Sequence, residues 1–536
     1  MMRFYCRARS FDLIAAAVAS LAAGACSGSG DDTGSSVTGS ATGATGMAAG
    51  TGGNSAASSG GGATTSGSGA ATGSSAGAGP ASGAGGNAAS AGGASSSGGA
   101  SGGGGATGSG GTGGASTPIA EVVDVADVWS GHPVEFALLT RGDRQFVAYY
   151  DDERRMAVAA RSLGETTWTF QVLPTTLGWD SHNYVAMAAD ELGFLHVSGN
   201  MHNVPLIYFK STVALDAASL QQVSSMVGTN ESSVTYPEFF AGPTGSLIFG
   251  YRDGGSGNGN QIFNVYAAGS GTWSRLLDTP FTDGETQRNA YPVGPVQGPD
   301  GYWHLVWVWR DTPDASTNNN LSYARSQNLV DWETAAGAPL TLPITLAESD
   351  VVDPVQNDGG MINNNTKFGF DAENRPVIVY HKYDSSGNTQ LYNARFESGE
   401  WVAHQATNWD YRWDFGGGGT LVFEIEVEGI EVQSDGSVTQ RYYHAQYGGW
   451  GALRLDPVTL AAIETIDPPL PYPAALDMPE STTAGMVTRW QADTGAGPDP
   501  SVSYMLRWET LESNRDEPRD TTPPPTRLRL YGFRAR

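Results

Sequence analysis

The chain has 536 residues, with 29 basic and 55 acidic side chains, a net charge of -26, and two cysteines, Cys6 and Cys26. An acidic balance of this size argues against sequence-independent nucleic-acid binding, which draws its affinity from basic side chains that neutralise phosphates. With both cysteines in the first 26 residues, disulfide frameworks, Cys-ligated zinc and thiol nucleophiles are excluded from everything downstream.

In chain order, Arg3, Arg7 and Arg9 precede a mostly apolar run from Phe11 to Ala25, too short to span a bilayer, so residues 1–26 are predicted to be a secretory signal peptide. It ends Leu21-Ala-Ala-Gly-Ala-Cys26, which resembles the lipoprotein signal of bacteria, and that resemblance implies lipidation at Cys26. Residues 27–117 follow, a stretch of 91 residues that holds 33 of the 73 glycines and no charge besides Asp31 and Asp32. Such a stretch has too little bulky apolar surface to offset its ordering entropy and is predicted to be a disordered Gly/Ser/Ala/Thr-rich linker. As a flexible coil it reaches about 50 Å. Together these segments predict a secreted or cell-surface, outer-membrane lipoprotein of a bacterium, touching the membrane only through an anchor at Cys26.

Residues 118–536, 419 in all, carry the whole net charge and enough material for a sizeable core. They read as an all-β domain: short alternating runs separated by Gly, Asp and Asn turns, with no sustained helical period. Phe146–Tyr150, Phe194–Ser198, Leu247–Tyr251, Tyr302–Trp307 and Pro376–Tyr380 recur at spacings of 48, 53, 55 and 74 residues, several followed late in the unit by a tryptophan: Trp168, Trp273, Trp332, Trp401. A period near 50 with a late tryptophan is the signature of four-stranded propeller blades. Runs at Leu421–Val427 with Tyr442–Leu455, and Ser503–Trp508 with Leu528–Phe533, add a sixth and a seventh unit, and Val134–Leu139 is expected to complete the last one. The predicted architecture is a seven-bladed β-propeller, expected to be a monomer. The tryptophans are assigned to packing, as are His304 and His381.

Chemistry concentrates in two neighbouring units. Trp179-Asp-Ser-His182-Asn183 and Gly199-Asn-Met-His202-Asn203 place two His-Asn pairs at the two ends of one hairpin. The next unit carries Val234-Thr-Tyr236-Pro237 and then Tyr251-Arg252-Asp-Gly-Gly-Ser-Gly-Asn258-Gly-Asn260, a lone Arg before a Gly/Asn-rich loop that has neither the spacing of a phosphate loop nor a following helix.

These motifs, with Arg288-Asn-Ala-Tyr291, His304-Leu-Val-Trp-Val-Trp-Arg310 and Asn408-Trp-Asp-Tyr-Arg-Trp-Asp-Phe-Gly-Gly-Gly-Gly419, resemble the BNR-repeat propeller family that contains the ulvan lyases. The resemblance implies β-elimination beside a uronic acid in an anionic, ulvan-like polysaccharide, with His182, His202, Tyr236 and Arg252 as catalytic residues. Arg252 suits the uronate carboxylate and the charge that builds on it, while Tyr236 and the histidines suit proton transfer. The residue types do not decide which is base and which acid. Arg288 and Tyr291 are expected at substrate subsites, and Asn183, Asn203 and Asn258 are expected to orient histidines or sugar hydroxyls. No cofactor is required for this chemistry; a structural metal ion would need His, Asp or carbonyl ligands, and the sequence places no such site. Two other readings share the fold: a sialidase-like glycoside hydrolase, for which three arginines in separate blades are missing, and a glycan-binding surface lipoprotein without turnover.

Overall fold

The computed structural model describes residues 118–534; the predicted signal peptide, Cys26 and the linker lie outside them. Within that range the chain forms 29 strands and six short 3-10 turns, and the strands sort into seven antiparallel sheets. Each sheet takes its strands largely in chain order. The first is built from Ala137–Arg141, Arg144–Tyr150, Arg155–Ser162 and Thr169–Thr176, and the second from Val185–Ala189, Leu195–Gly199, Tyr208–Ser211 and Leu220–Gln222. The third to sixth begin at Val234–Ala241, Asn289–Gln297, Lys367–Phe370 and Ile425–Val432, and the seventh at Met486–Ala492.

Local chemistry explains the hairpins. Asp151, Asp190, Asp371 and Asp384 each accept backbone N–H bonds two and four residues ahead, a side-chain turn that fixes where one strand ends and the next begins. The histidines inside strands are part of the packing. His196 Nδ1 lies 2.7 Å from the Tyr208 hydroxyl and His304 Nδ1 2.6 Å from that of Tyr323, each imidazole with an Asp, Asp190 or Asp300, at its other nitrogen. His381 is fully buried between Trp413 and Phe415, and burial lowers its pKa to about 4. Trp332 is buried in a core cluster, and Trp168, Trp273 and Trp401 pack against the edges of others.

One expectation about the ends of the chain is corrected. Ala137–Arg141, in the run expected to complete the last unit, instead opens the first sheet, and closure falls to Ile119–Val128. That strand pairs antiparallel with Thr526–Arg534, with Val123 opposite Leu530. Its alternation is partly masked by acids: Val123, Val125 and Val128 are buried, while Asp124 and Asp127 stand on the other face and meet Arg527 and Arg529. This sheet is made from both ends of the domain and holds them together. Leu530→Ala, at a fully buried position opposite this strand, is expected to cost about 2–5 kcal/mol, read by chemical denaturation.

The first strand of every sheet contributes to the lining of one common cavity of about 690 Å³, from Ala137 and Val185 through Phe239, Val293 and Lys367 to Val427 and Gln491. Tyr236 and Tyr291 line it as well, at the starts of the first strands of the third and fourth sheets.

Candidate active site

The two His-Asn pairs flank the hairpin Val185–Ala189/Leu195–Gly199, where Val185 faces Gly199. After that hairpin the chain leaves its own sheet. His202–Val204 forms a short strand that adds to the edge of the third sheet, with His202 paired to Thr235, the residue before Tyr236. A register shift between Thr235 and Glu238 interrupts the pairing with the next strand, and Tyr236 sits in it with φ of 58°, a left-handed conformation costly for a bulky residue. The bulge turns the phenol ring toward the imidazoles. Tyr236 and His182 rings lie 5.6 Å apart, and His182 and His202 rings 4.2 Å apart.

Asp180 holds the histidine pair. One carboxylate oxygen lies 2.6 Å from His182 Nδ1 and also accepts the His182 backbone N–H at 2.9 Å; the other bonds His202 Nδ1. Burial acts to raise the Asp180 pKa, but the two imidazole hydrogen bonds outweigh it and hold the carboxyl well below its ordinary range. An ionised carboxylate only accepts, so both Nδ1 atoms donate, and proton acceptance by the pair falls to the Nε2 side. Asp180, His182 and His202 are also the grouping among the described residues whose metal-capable atoms lie within 4.8 Å of one another. The contacts to Asp180 are hydrogen bonds, the partner both imidazoles already have.

Arg252 completes the cluster from the neighbouring strand. It is 2 % exposed, its Nε donates to the Gly254 carbonyl at 3.1 Å and its Nη2 to the Thr235 hydroxyl at 3.1 Å. Its third nitrogen, Nη1, is buried without a protein partner. Leaving a charged donor unpaired is costly, and an anion placed at Nη1 would satisfy it. The guanidinium lies 4.9 Å from the Tyr236 ring centre and 5.8 Å from that of Tyr291. The Thr235 hydroxyl also accepts the Asn203 backbone N–H at 2.8 Å, so one side chain ties the arginine to the histidine-bearing strand.

Burial raises the Tyr236 pKa to about 12, with Tyr291 adding to the rise and Arg252, Arg310 and an Asn364 hydrogen bond working against it. The phenol therefore carries its proton at neutral pH. His202 shifts down, first by burial, then by His182 and Arg252, with Asp180 opposing.

The other expected residues divide. Tyr291 is within the cluster: its ring is 6.2 Å from that of Tyr236, and its hydroxyl bonds Ser256 at 2.7 Å. Asn183 is a backbone element of the site, accepting the Tyr150 hydroxyl at its carbonyl at 2.6 Å. The Asn203 side chain takes the Ser233 hydroxyl. Arg288 faces Asp311 at 3.5 Å, and Asn258 stands exposed in the hairpin after Arg252; neither meets the four central side chains. Three residues escaped the sequence reading: Asp180, inside a motif it had singled out; Arg310, whose guanidinium stacks 5.6 Å from the Tyr291 ring; and Asp516, 4.0 Å from His182 Nδ1. The Asp180 signal was available, an acid two residues before a histidine. Asp516 had none, lying far along the chain.

Against known proteins, residues 144–409 match a family model described as a BNR repeat-containing family member. The short isoform of ulvan lyase from Alteromonas sp. (strain LOR) is 31% identical over 124 residues, 22% of this chain and 24% of the relative. The long isoform from Alteromonas sp. is 29% identical over 126 residues, 22% of this chain and 12% of the relative. The chain thus spans a quarter or less of the length of these curated relatives. Among solved structures, polysaccharide lyase Uly1 aligns with a TM-score of 0.52 and 13% identity over 78% of this chain and 99% of its own. An ulvan lyase bound to GlcA(1-4)Rha3S aligns at 0.51 and 13% over 77% and 95%. At such identity the structural likeness speaks for the fold.

Proposed function

We propose that the chain, whose residues 144–409 match the BNR repeat-containing family model, is a polysaccharide lyase that cleaves an ulvan-like, uronate-containing chain by β-elimination. The seven sheets are then the blades of a β-propeller, each giving its first strand to the shared cavity. The observation that carries the reading is the partnerless Nη1 of buried Arg252 beside a protonated phenol and a histidine pair anchored at Nδ1.

The uronate carboxylate occupies the free donor of Arg252, which stabilises the charge that grows on it as the C5 proton leaves. The imidazole pair takes that proton at Nε2. The C5–H electrons form the C4–C5 double bond, the C4–O4 bond breaks, and Tyr236 gives its proton to O4. Solvent then returns a proton to the phenolate and removes one from the imidazolium. Every step uses side-chain charge or proton transfer. Asp180 acts as a positioning residue: it fixes which nitrogen of each imidazole accepts. The domain works outside the cell, carried on the segment 27–117 and, if Cys26 is lipidated, held at the surface.

Purified protein incubated with ulvan or glucuronan is expected to release an unsaturated uronate absorbing in the near ultraviolet. Folded protein giving no absorbing product on any uronate polymer refutes the assignment. Asp180→Asn leaves one imidazole facing an amide donor or in the wrong tautomer and is expected to lower kcat about 10- to 100-fold, the usual cost of losing a group that orients a histidine. An unchanged kcat removes Asp180 from the mechanism.

The pH profile follows from the two shifts. The accepting imidazole must be neutral, and His202 is displaced downward, so kcat/KM is expected to hold as pH falls to the ordinary imidazole value near 6.5 and to decline only below it. Tyr236 must be protonated, and with its pKa near 12 no alkaline loss from this group is expected below pH 10. An acid limb centred above 6.5 contradicts the neutral-imidazole base.

A further inference from the structure

The glycine-rich segment Gly416–Thr420 lies in no strand, yet it joins two loops from opposite sides of the candidate site. At one end the Gly417 N–H donates to Asp314 Oδ1 at 2.7 Å, and the Gly417 carbonyl accepts the Ala315 N–H at 2.9 Å. The same loop holds Arg310, whose Nε donates to the carbonyls of Thr312 at 3.0 Å and Asp314 at 3.3 Å. At the other end the Thr420 N–H and hydroxyl donate to Asp516 Oδ2 at 2.8 and 2.9 Å. Asp516 in turn accepts the Ser181 N–H at 3.1 Å and stands 4.0 Å from His182. The contacts close into a ring: His182, Asp516, Thr420, Gly417, Asp314, Arg310, Tyr291, Tyr236 and back to His182.

Arg515 is built onto this segment. Its Nη1 donates to the carbonyls of Gly416 at 3.0 Å and Gly418 at 2.9 Å. Gly419, with φ of 73°, brings the backbones together: a Cβ there would meet the Arg515 carbonyl oxygen at 2.5 Å. The residue is exposed and, among the described residues, pairs with no carboxylate. The carboxylate of its neighbour Asp516 is already engaged by Ser181 and Thr420. With one nitrogen held by two backbone carbonyls and no acid at the others, the guanidinium keeps donors for a ligand from outside the chain. The fixed nitrogen orients the fork, and the remaining donors suit a planar or tetrahedral oxyanion.

We propose that Arg515, held by the Gly416–Thr420 segment, forms a subsite for an anionic substituent on a sugar adjoining the cleaved uronate. This rests on the polysaccharide-lyase reading and deepens it. The anion is a sulfate ester or a second uronate carboxylate, chemically alike to a guanidinium. Such a contact offsets, at one point, the repulsion between an acidic protein and an anionic polymer.

The test is binding of the full chain to size-defined oligosaccharides from ulvan, from chemically desulfated ulvan and from glucuronan, by calorimetry, beside the turnover assay. Arg515→Ala is expected to weaken binding about tenfold, the size of one charge-assisted hydrogen bond. Arg515→Gln keeps a donor for the strap carbonyls and loses the charge. It is expected to weaken binding as much as Arg515→Ala. A loss confined to sulfated ulvan identifies the sulfate ester; a loss of equal size on all three identifies the carboxylate. Arg515→Gln at wild-type affinity, alone or with a weakened Arg515→Ala, overturns the subsite, because only the strap contact then matters. A wild type that binds but does not cleave, with both variants weakened, refutes the lyase reading and leaves the subsite standing. A wild type that binds no anionic polymer refutes both.

Discussion

Tyr236→Phe is expected to lower kcat on a uronate polysaccharide by about 100- to 10,000-fold, the range for removing a positioned proton-transfer group. The substitution deletes one hydroxyl and keeps the ring, so the edge-on contacts with His182 and Tyr291 and the cation contact with Arg252 survive, as does the left-handed backbone at the bulge. Stability should therefore change little, and the loss should fall in kcat while KM stays near the wild-type value. The phenol is kept protonated by burial, with a pKa near 12, so in the wild type it donates rather than accepts at neutral pH. Ultraviolet progress curves with the melting temperature alongside decide the matter. A folded Phe variant retaining a third or more of wild-type kcat excludes Tyr236 as the acid.

The second large effect is expected at Arg252. Arg252→Ala removes the buried charged donor proposed to meet the uronate carboxylate and should reduce kcat/KM by about 1,000-fold, in line with the 100- to 1,000-fold cost of deleting one transition-state donor with some lost ground-state binding added. The same change leaves the Thr235 hydroxyl and the Gly254 carbonyl without their present donor, so some destabilisation will accompany it. Arg252→Lys separates the two effects. It restores the charge but not the planar fork, and is expected to recover binding more than turnover. A KM nearer wild type in Arg252→Lys than in Arg252→Ala, with kcat low in both, fits the proposal; full activity in either excludes it.

Much of this site was legible in the sequence, and the reason is local. His182 and His202 sit in near-repeated polar motifs at the two ends of a single hairpin, and a hairpin is specified by the residues within it. The seven-unit count came from strand runs and turn residues of the same local kind. What escaped depends on pairings between distant segments. Nothing near His202 announces that its strand would leave one sheet and join the next opposite Thr235. Closure by Ile119–Val128 was hidden because alternate acids gave a buried strand the look of a polar leader. Asp516 reaches His182 and Ser181 from a loop in the last sheet, and its neighbours in sequence carry no mark of it. Asp180 is the instructive miss, since its position two residues before His182 was visible and its second partner, His202, was not.

The short strand His202–Val204 has a consequence for how the protein fails. Because it belongs by sequence to one sheet and by hydrogen bonding to the next, the histidine pair is divided across a seam: His182 stands before one sheet while His202 is fastened to the other. Slight parting of that seam under heat or denaturant uncouples the two imidazoles while both sheets keep their ladders. Inactivation should then run ahead of unfolding, with catalysis vanishing at temperatures where circular dichroism still reports an intact β structure.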